Sequence, residues 1–229
     1  MKLLVESLLK CYFSPEQICG RIKLLKGHIV SIETIYQFIW TDKKKGGALY
    51  TYLRRQGRKY RKRGGSKDNR GVLKNQVSID DRPAIVDEKA RFGDLEIDTV
   101  IGRNHKGVLL TINDRYTGLV WIRKLKSKES EALAREAIGA LLSFKELICT
   151  MTADNGKEFA HHELIAFELD IDVYFAHPYH SWERGANENT NGLIRQFFPK
   201  GSDIENLSEE RIKIVQDRLN DRPRKRLGY

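Results

Sequence analysis

Cysteine is scarce in this sequence. The chain of 229 residues has three, Cys11, Cys19 and Cys149. Their odd number and irregular spacing support neither a disulfide framework nor a zinc knuckle, so a reducing compartment fits the composition.

Long apolar runs are also absent. No stretch reaches about 18 consecutive apolar residues, the minimum for a membrane-spanning helix. The segment from Met1 to Val5 is followed at once by Glu6 and is too short for a signal peptide. We therefore expect a soluble protein that is not exported and has no membrane partner.

Negative charge is nearly missing from one segment. Between Thr41 and Lys74, thirteen Lys and Arg stand against two acids, a net charge of +11, whereas the whole chain carries +10. Such a block cannot bury itself in a core. It is either a solvated linker or a segment that neutralises DNA phosphates without sequence preference. The candidate phosphate contacts are Arg58, Lys59, Arg61, Lys62 and Arg63.

Two short capped helices are predicted near the start of the chain. Ser14 opens the first, with Pro15 at its first position and Gln17 completing a capping box. Gly27 breaks it, and Ser31 caps the second. This pattern is typical of a helix-turn-helix or of an ordinary helical hairpin. In the first case the residues that could reach a DNA groove are Glu33, Thr34, Gln37 and Thr41.

From Phe92 the apolar pattern changes to strand periodicity. The predicted strands are 94–102, 107–113, 118–125, the stretch ending at Asp154, and 172–176. Helices are predicted at 127–146, about 159–169, from 185 and from 208. Three antiparallel strands followed by alternating helices and strands predict an α/β, ribonuclease-H-like fold, with a mixed five-stranded sheet and helices on both faces.

Three acidic residues occupy unusual places in this pattern. Asp98 lies in the middle of a β-branched run, and Asp154 lies where a buried strand ends. Glu188 lies in the polar first turn of a helix, with 33 residues between it and Asp154. Because carboxylates are seldom buried unless they are paired or bind metal, these three are candidates for one site.

Two other acids compete for these roles. Asp94 is the alternative to Asp98, but it precedes the apolar run and is expected at a strand entrance. Glu183 is the alternative to Glu188, but it lies in a loop where an exposed acid is unremarkable.

Four stretches resemble the insertion-sequence-thirty (IS-thirty) family of bacterial transposases, which are DDE enzymes with a retroviral integrase-type core. They are Glu96-Ile97-Asp98-Thr99-Val100-Ile101-Gly102, Asp154-Asn155-Gly156-Lys157-Glu158-Phe159, Ser181-Trp182-Glu183-Arg184-Gly185 with Asn187-Glu188-Asn189-Thr190-Asn191-Gly192, and Asn220-Asp221-Arg222-Pro223-Arg224-Lys225. The resemblance covers nearly the whole chain. It extends to the two capped helices and favours the helix-turn-helix interpretation.

The resemblance implies a transposase that binds terminal inverted repeats, cuts phosphodiester bonds there and joins the freed 3′ hydroxyl to target DNA. It also implies double-stranded DNA as partner, a homo-oligomer on two element ends, and a location in the bacterial cytoplasm at the nucleoid. Family sequences extend beyond both ends of this chain, so a shortened protein is expected. The alternatives are a DNA-binding remnant or repressor and, less favoured, a host nuclease of the same fold.

Three carboxylates suit two-metal-ion chemistry, because they are the oxygen ligands that Mg²⁺ accepts. We expect two Mg²⁺ ions per site, with Mn²⁺ as a substitute. Asp98 is predicted to bridge them, since a mid-strand position in a sheet is rigid. Asp154 and Glu188 would each hold one ion.

Other polar residues surround this predicted site. Asn187, Asn191 and Arg195 recur every four residues and share a helix face, which predicts contacts to DNA phosphates or a flipped base, or else a solvated face. In the preceding loop, His177 and His180 could bind metal, but a loop that stacks on bases is the favoured interpretation.

The predicted domains are therefore a helix-turn-helix at 1–41, a basic linker or DNA-contacting segment at 42–90, and a ribonuclease-H-like catalytic domain at 91–229.

Overall fold

The chain divides into two compact units, Met1–Gly64 with Asp221–Tyr229, and Gly65–Asn220. The structure, a computed structural model, describes residues 1–27, 29–56, 73–127, 129–178 and 180–229. These units differ from the predicted domains at three places. Residues 42–56 and 221–229 group with the first unit, and residues 73–90 group with the second.

The first unit begins with three helices, α1 (Lys2–Lys10), α2 (Pro15–Lys26) and α3 (Ile32–Lys44). Ser14 and Gln17 form the predicted capping box at the start of α2. Gly27 ends α2 at φ 64°, a left-handed conformation that favours glycine, and Ser31 caps α3. The helices bury one apolar cluster, which includes Val5, Leu9, Ile18, Ile22, Ile35 and Ile39.

The C-terminal segment of this unit packs on α2. The Gln17 amide donates a hydrogen bond of 2.8 Å to the carbonyl oxygen of Pro223, and Lys225 pairs with Glu16 at 3.1 Å. Segment 221–229 therefore belongs to the first unit through contacts that join positions about 200 residues apart, which local sequence patterns do not reveal.

The second unit is built on a six-stranded sheet. Its strands are β1 (Val77–Ser78), β2 (Asp94–Ile101), β3 (Val108–Asp114), β4 (Val120–Leu125), β5 (Thr150–Ala153) and β6 (Asp172–Phe175). The order is β1-β6-β5-β2-β3-β4, with β2, β3 and β4 antiparallel and β2, β5, β6 and β1 parallel. Apart from β1, this is the ribonuclease-H-like sheet that the sequence predicts. Strand β1, which has only two residues, was not predicted, because it lies in the segment predicted to be a linker.

Helices cover both faces of this sheet, as predicted. They are α4 (Ile85–Glu88), α5 (Ser130–Leu141), α6 (His162–Leu169), α7 (Gly185–Phe197) and α8 (Glu209–Asn220). One apolar cluster joins the sheet to α5 and α6, and a second joins it to α7 and α8. The predicted long helix is shorter than expected, because a 3-10 turn at Leu142–Leu147 replaces its end.

The alternation of side chains along β2 determines which residues face α7. Leu95 and Ile97 belong to the cluster with α5 and α6, whereas Val100 belongs to the cluster with α7 and α8. Because successive side chains in a strand point to opposite faces, Glu96 and Asp98 share the α7 face with Val100. None of the helices in the described ranges is long and apolar enough to span a membrane.

Candidate active site

Asp98 and Asp154 meet around one guanidinium. Asp98 lies in β2 and Asp154 directly follows β5, the parallel neighbour of β2. Arg184, which directly precedes α7, places Nη2 3.2 Å from Asp154 Oδ2 and Nη1 3.7 Å from Asp98 Oδ2. All three side chains are largely buried. The two acids therefore share one largely buried positive charge.

The carboxylate of Asp98 is held at both oxygens. The Asn191 amide donates 2.8 Å to Oδ2, and the backbone N–H of Thr99 donates 2.8 Å to Oδ1. Burial raises the pKa of Asp98 from 3.8 to about 6, and the charges of Asp154 and Glu158 act in the same direction, while Arg184 opposes them. At this position a proton or a cation stabilises the site.

Hydrogen bonds also fix the loop of Asp154. Asp154 Oδ1 accepts from the backbone N–H of Gly156 at 3.0 Å. The Asn155 amide donates 2.6 Å to the carbonyl of Ala176 and accepts from Gln76 at 2.7 Å. Asp154 therefore sits on a loop anchored to the neighbouring strand.

A polar stripe on α7 binds β2. The Asn187 amide donates 3.1 Å to the carbonyl of Ile97, Asn191 donates to Asp98, and Arg195 Nη2 donates 2.8 Å to the carbonyl of Ile101. These three residues, spaced four apart on one face of α7, therefore dock the helix on β2.

This stripe changes the interpretation of its three residues. Asn187 is 1% exposed, which leaves it no surface for DNA, so its predicted role as a DNA contact does not fit. Asn191 and Arg195 are half-buried, and burial lowers the pKa of Arg195. Their hydrogen bonds go to the strand, and a DNA role for these two remains a prediction.

Glu188 lies in α7 one residue after Asn187 and three before Asn191, the residue that binds Asp98. Its side chain is exposed. Within the described ranges, Asp98, Asp154 and Glu188 do not form a closed set of three metal ligands. The structure therefore brings two of the predicted acids together and leaves the third on the adjacent helical turn.

The two competing acids have other roles. Asp94 is fully buried, binds Arg91 through both oxygens at 2.9 and 3.0 Å, and accepts a hydrogen bond from Thr150. This is a structural ion pair. Glu183 is 18% exposed and is not the unremarkable exposed acid expected from the sequence, because it binds His177 and His180.

A buried ion pair beside the site was not predicted. Glu96 is fully buried and accepts 2.6 Å from Arg115 Nη1 and 2.7 Å from the backbone N–H of Asn187. Burial raises the pKa of Glu96, and Arg115 opposes this shift. Its place two residues before Asp98 in an apolar strand was the sequence signal that could have identified it.

Two further side chains near Asp98 were also missed. Arg184 separates the two acids, and Glu158 Oε1 lies 3.5 Å from the hydroxyl of Thr99. Both occur inside the family-like stretches quoted above, but their proximity to Asp98 depends on how the loops fold back to β2.

Known proteins similar to this chain include several transposases. Over 229 residues it is 60% identical to the transposase for insertion sequence element IS4351 of Bacteroides fragilis, covering 100% of this chain and 70% of that protein. It is 33% identical to transposase InsI for element IS30A of Escherichia coli (strain K12), covering 100% of this chain and 62% of that protein. The chain belongs to the insertion-sequence-thirty family of bacterial transposases. No protein-family model matches it.

Retroviral integrase cores are among the solved structures that resemble this transposase. The catalytic core domain of HTLV-2 integrase, in complex with magnesium, is 20% identical, with a TM-score of 0.45 over 58% of this chain and 90% of that chain. Because this likeness is weak, the fold assignment rests on the strand order of the transposase itself.

The predicted DNA-reading residues of the transposase lie on the surface of α3. Glu33, Thr34 and Gln37 are exposed. Thr34 bonds the capping hydroxyl of Ser31 at 2.8 Å, and the Gln37 amide lies 3.4 Å from Glu33. The basic candidates Arg58, Lys59, Arg61, Lys62 and Arg63 lie outside the described residues.

Proposed function

We propose that this chain is a DDE transposase that cleaves phosphodiester bonds at the ends of its mobile element and transfers the 3′ hydroxyl ends to target DNA. Asp98, Asp154 and Glu188 are its metal ligands in this proposal. The observation that carries it is the convergence of Asp98 and Asp154 on one guanidinium. Since the chain spans 70% and 62% of the two relatives above, the activity of the longer proteins comes to it as part of the proposal.

The residues present fit a divalent cation. Asp98 and Asp154 are largely buried, and both lie within 4 Å of the Arg184 guanidinium. Burial raises the pKa of Asp98, so a bound cation would stabilise its ionised carboxylate. Glu188, on the adjacent turn of α7, would complete the ligand set. When bound, two Mg²⁺ or Mn²⁺ ions would activate the attacking oxygen and stabilise the leaving oxygen.

The protein contributes position and charge. Asn191 and the Thr99 N–H orient the Asp98 carboxylate, and β2 holds it in a rigid sheet. The α7 stripe binds this strand and would thereby fix the position of Glu188. Arg184 reduces the repulsion between the two aspartates and would stabilise negative charge on a reacting phosphate.

In this proposal the protein binds double-stranded DNA, both at the ends of the element and at the target. α3 would read inverted-repeat sequence through Glu33, Thr34 and Gln37, while the basic residues 58–63 would neutralise phosphates. The active form would be a homo-oligomer that holds two ends. The place of action would be the bacterial cytoplasm, on the nucleoid.

Cleavage of labelled element ends in Mg²⁺, in Mn²⁺ and without metal tests this function. Asp98→Asn, Asp154→Asn and Glu188→Gln should each reduce cleavage by about a thousandfold or more, because losing a ligand removes several kcal/mol of charge stabilisation. The exposed acids Asp170 and Glu168 provide the matched controls Asp170→Asn and Glu168→Gln, which should retain activity.

Two results would contradict the proposal. If Glu188→Gln kept full cleavage activity and Glu158→Gln lost it, the third metal ligand would be Glu158, which lies near Thr99. Absence of cleavage by the wild type under every metal, with DNA binding retained, would leave a DNA-binding remnant or repressor.

A further inference from the structure

A second cluster of metal-ligand side chains lies outside the carboxylate pair. Within the described ranges, His177, His180 and Glu183 form the one set of three whose ligand atoms converge, all within 4.8 Å of one another. His177 Nδ1 lies 3.0 Å and His180 Nδ1 lies 2.9 Å from the same oxygen, Glu183 Oε1. The other oxygen, Oε2, accepts 2.9 Å from the backbone N–H of His177, so the carboxylate is fixed in place.

The partner of His177 Nε2 determines which nitrogen of this ring carries the proton. His177 Nε2 lies 2.9 Å from Asp80 Oδ2, and an ionised carboxylate only accepts hydrogen bonds. Nε2 therefore carries the proton. In a neutral ring, Nδ1 then presents a lone pair to Glu183 Oε1, and two acceptors face each other. The arrangement requires a positive charge between them, either a second proton on the ring or a metal ion.

The donor set and its surroundings match a transition-metal site. Two imidazoles and one carboxylate with an open fourth position are a known zinc ligand set. Ligands about 2.0–2.1 Å from a tetrahedral zinc lie about 3.4 Å apart. The two separations between a histidine Nδ1 and Glu183 Oε1, 3.0 and 2.9 Å, would therefore widen by about 0.4 Å, and the widest separation in the set, at most 4.8 Å, would have to close. A carboxylate bound to the far nitrogen of a ligating histidine orients the ring, which is the position of Asp80.

We infer that His177, His180 and Glu183 bind a divalent transition-metal ion of the zinc type, with Asp80 as the positioning residue of His177. This site is separate from the Asp98 and Asp154 pair and does not depend on the proposed reaction.

The site has a structural consequence for the active site. Its ligands span the loop that ends at Arg184, the residue between Asp98 and Asp154. The carbonyl oxygen of Glu183 also lies 3.4 Å from Arg115 Nη1. An ion held here would anchor this loop and so limit the movement of Arg184 and of the first turn of α7.

Titration of tag-free full-length protein with Co²⁺ and Zn²⁺ tests the site. An Asp98→Asn, Asp154→Asn background removes the competing carboxylate pair. In that background we expect one Co²⁺ per chain with the intense visible absorption of a tetrahedral complex, displaced by Zn²⁺. His177→Gln and His180→Gln should abolish this absorption. Asp80→Asn, which removes no ligand, should weaken binding about 10- to 100-fold.

His161 supplies the matched control, because it is exposed and its Nδ1 bonds the hydroxyl of Ser130 at 2.7 Å. His161→Gln should bind Co²⁺ like the background protein. Far-UV circular dichroism without metal would verify that each variant is folded, and Zn²⁺ should raise the melting temperature of the control but not of a folded His180→Gln variant. The inference is wrong if the background gives no tetrahedral cobalt spectrum, or if Asp80→Asn and the two histidine variants bind as tightly as the control. In that case a second proton on His177 provides the positive charge.

Discussion

At the scale of single residues, Asp98 combines burial, which disfavours a charge, with a carboxylate that metal binding would require to be ionised. It is largely buried, with 22% of its side chain exposed, beside a second carboxylate. Its only described cationic neighbour within 4 Å is Arg184. A residue selected for packing alone would not carry a charge here. The cost of this charge should therefore be measurable in the metal-free protein.

Asp98→Asn should change how the stability of the metal-free protein depends on pH. The folded-state pKa of Asp98 is raised from 3.8 to about 6, so the folded protein holds this proton more tightly than the unfolded chain. The stabilisation is complete below the unfolded value and is lost as pH rises through about 6. Above pH 6 the variant should exceed the wild type in stability, by on the order of 3 kcal/mol at most. Thermal unfolding in chelator between pH 4 and 7 measures this difference.

Asp94→Asn serves as the contrasting substitution. Because Asp94 is bound by Arg91 and Thr150, removing its charge should destabilise the protein. A difference between wild type and Asp98→Asn that stays constant with pH would contradict the raised pKa.

Arg184→Met should lower the metal-free melting temperature and enlarge its rise on addition of Mg²⁺ or Mn²⁺. The substitution removes the cation shared by Asp98 and Asp154, so an added ion gains more by binding to the folded state. Arg135→Met, at an exposed helical pair with Glu131, is the control. A smaller metal-induced rise than in the wild type would mean that Arg184 assists metal binding and does not compete with it.

At the scale of elements, the contact between α7 and β2 determines the position of the proposed third ligand. Three side chains of the helix bind two backbone carbonyls and one carboxylate of the strand. Polar groups buried at such an interface are costly to leave without partners. The stripe therefore specifies one rotation of α7 against β2, and with it the position of Glu188 three residues before Asn191.

Asn187→Ala should destabilise the protein by about 1–3 kcal/mol, because the carbonyl of Ile97 loses its donor in a buried place. Cleavage should fall as well, since α7 is then less firmly held. Asn189→Ala, at an exposed position of the same helix, should change stability by no more than about 0.5 kcal/mol. Chemical denaturation measures both. Equal effects of the two substitutions would argue against the docking role.

The α3 helix gives a prediction at the same scale. Gln37→Ala should reduce the preference for element ends over random DNA by about 1–3 kcal/mol, the value of a lost base contact. It should leave folding unchanged, because the Gln37 side chain is exposed. Thr34 is less suitable, since it also bonds the capping Ser31. Equal weakening on both DNAs, measured by competition binding, would show that α3 contacts phosphate without reading sequence.

At the scale of the whole molecule, positive charge is concentrated in one segment of the sequence. Replacing Arg58, Lys59, Arg61, Lys62 and Arg63 by Gln should weaken binding to any duplex. The slope of log affinity against log salt should flatten by up to about 0.9 for each lost phosphate contact. Binding measured over a range of salt concentrations tests this. An unchanged slope would identify the segment as a linker without DNA contacts.

The sequence by itself determined the family, the order of the five longer strands and of the helices between them, and the pairing of Asp98 with Asp154 in one site. Caps such as Ser14 and Ser31, and the alternation of apolar residues in β2, act over a few residues, so they can be read locally. The strand order then follows from general rules for packing helices on a sheet.

Only the tertiary structure decided which polar groups become partners. Asn187 faces Ile97, about 90 positions away, and Gln17 bonds Pro223, about 200 positions away. Arg184 enters the pair of aspartates, and Glu183 gathers two histidines, because the loop before α7 folds back to the sheet. Helical spacing shows that residues share a face but not what that face contacts, since the contact depends on rotation of the whole helix against a distant strand.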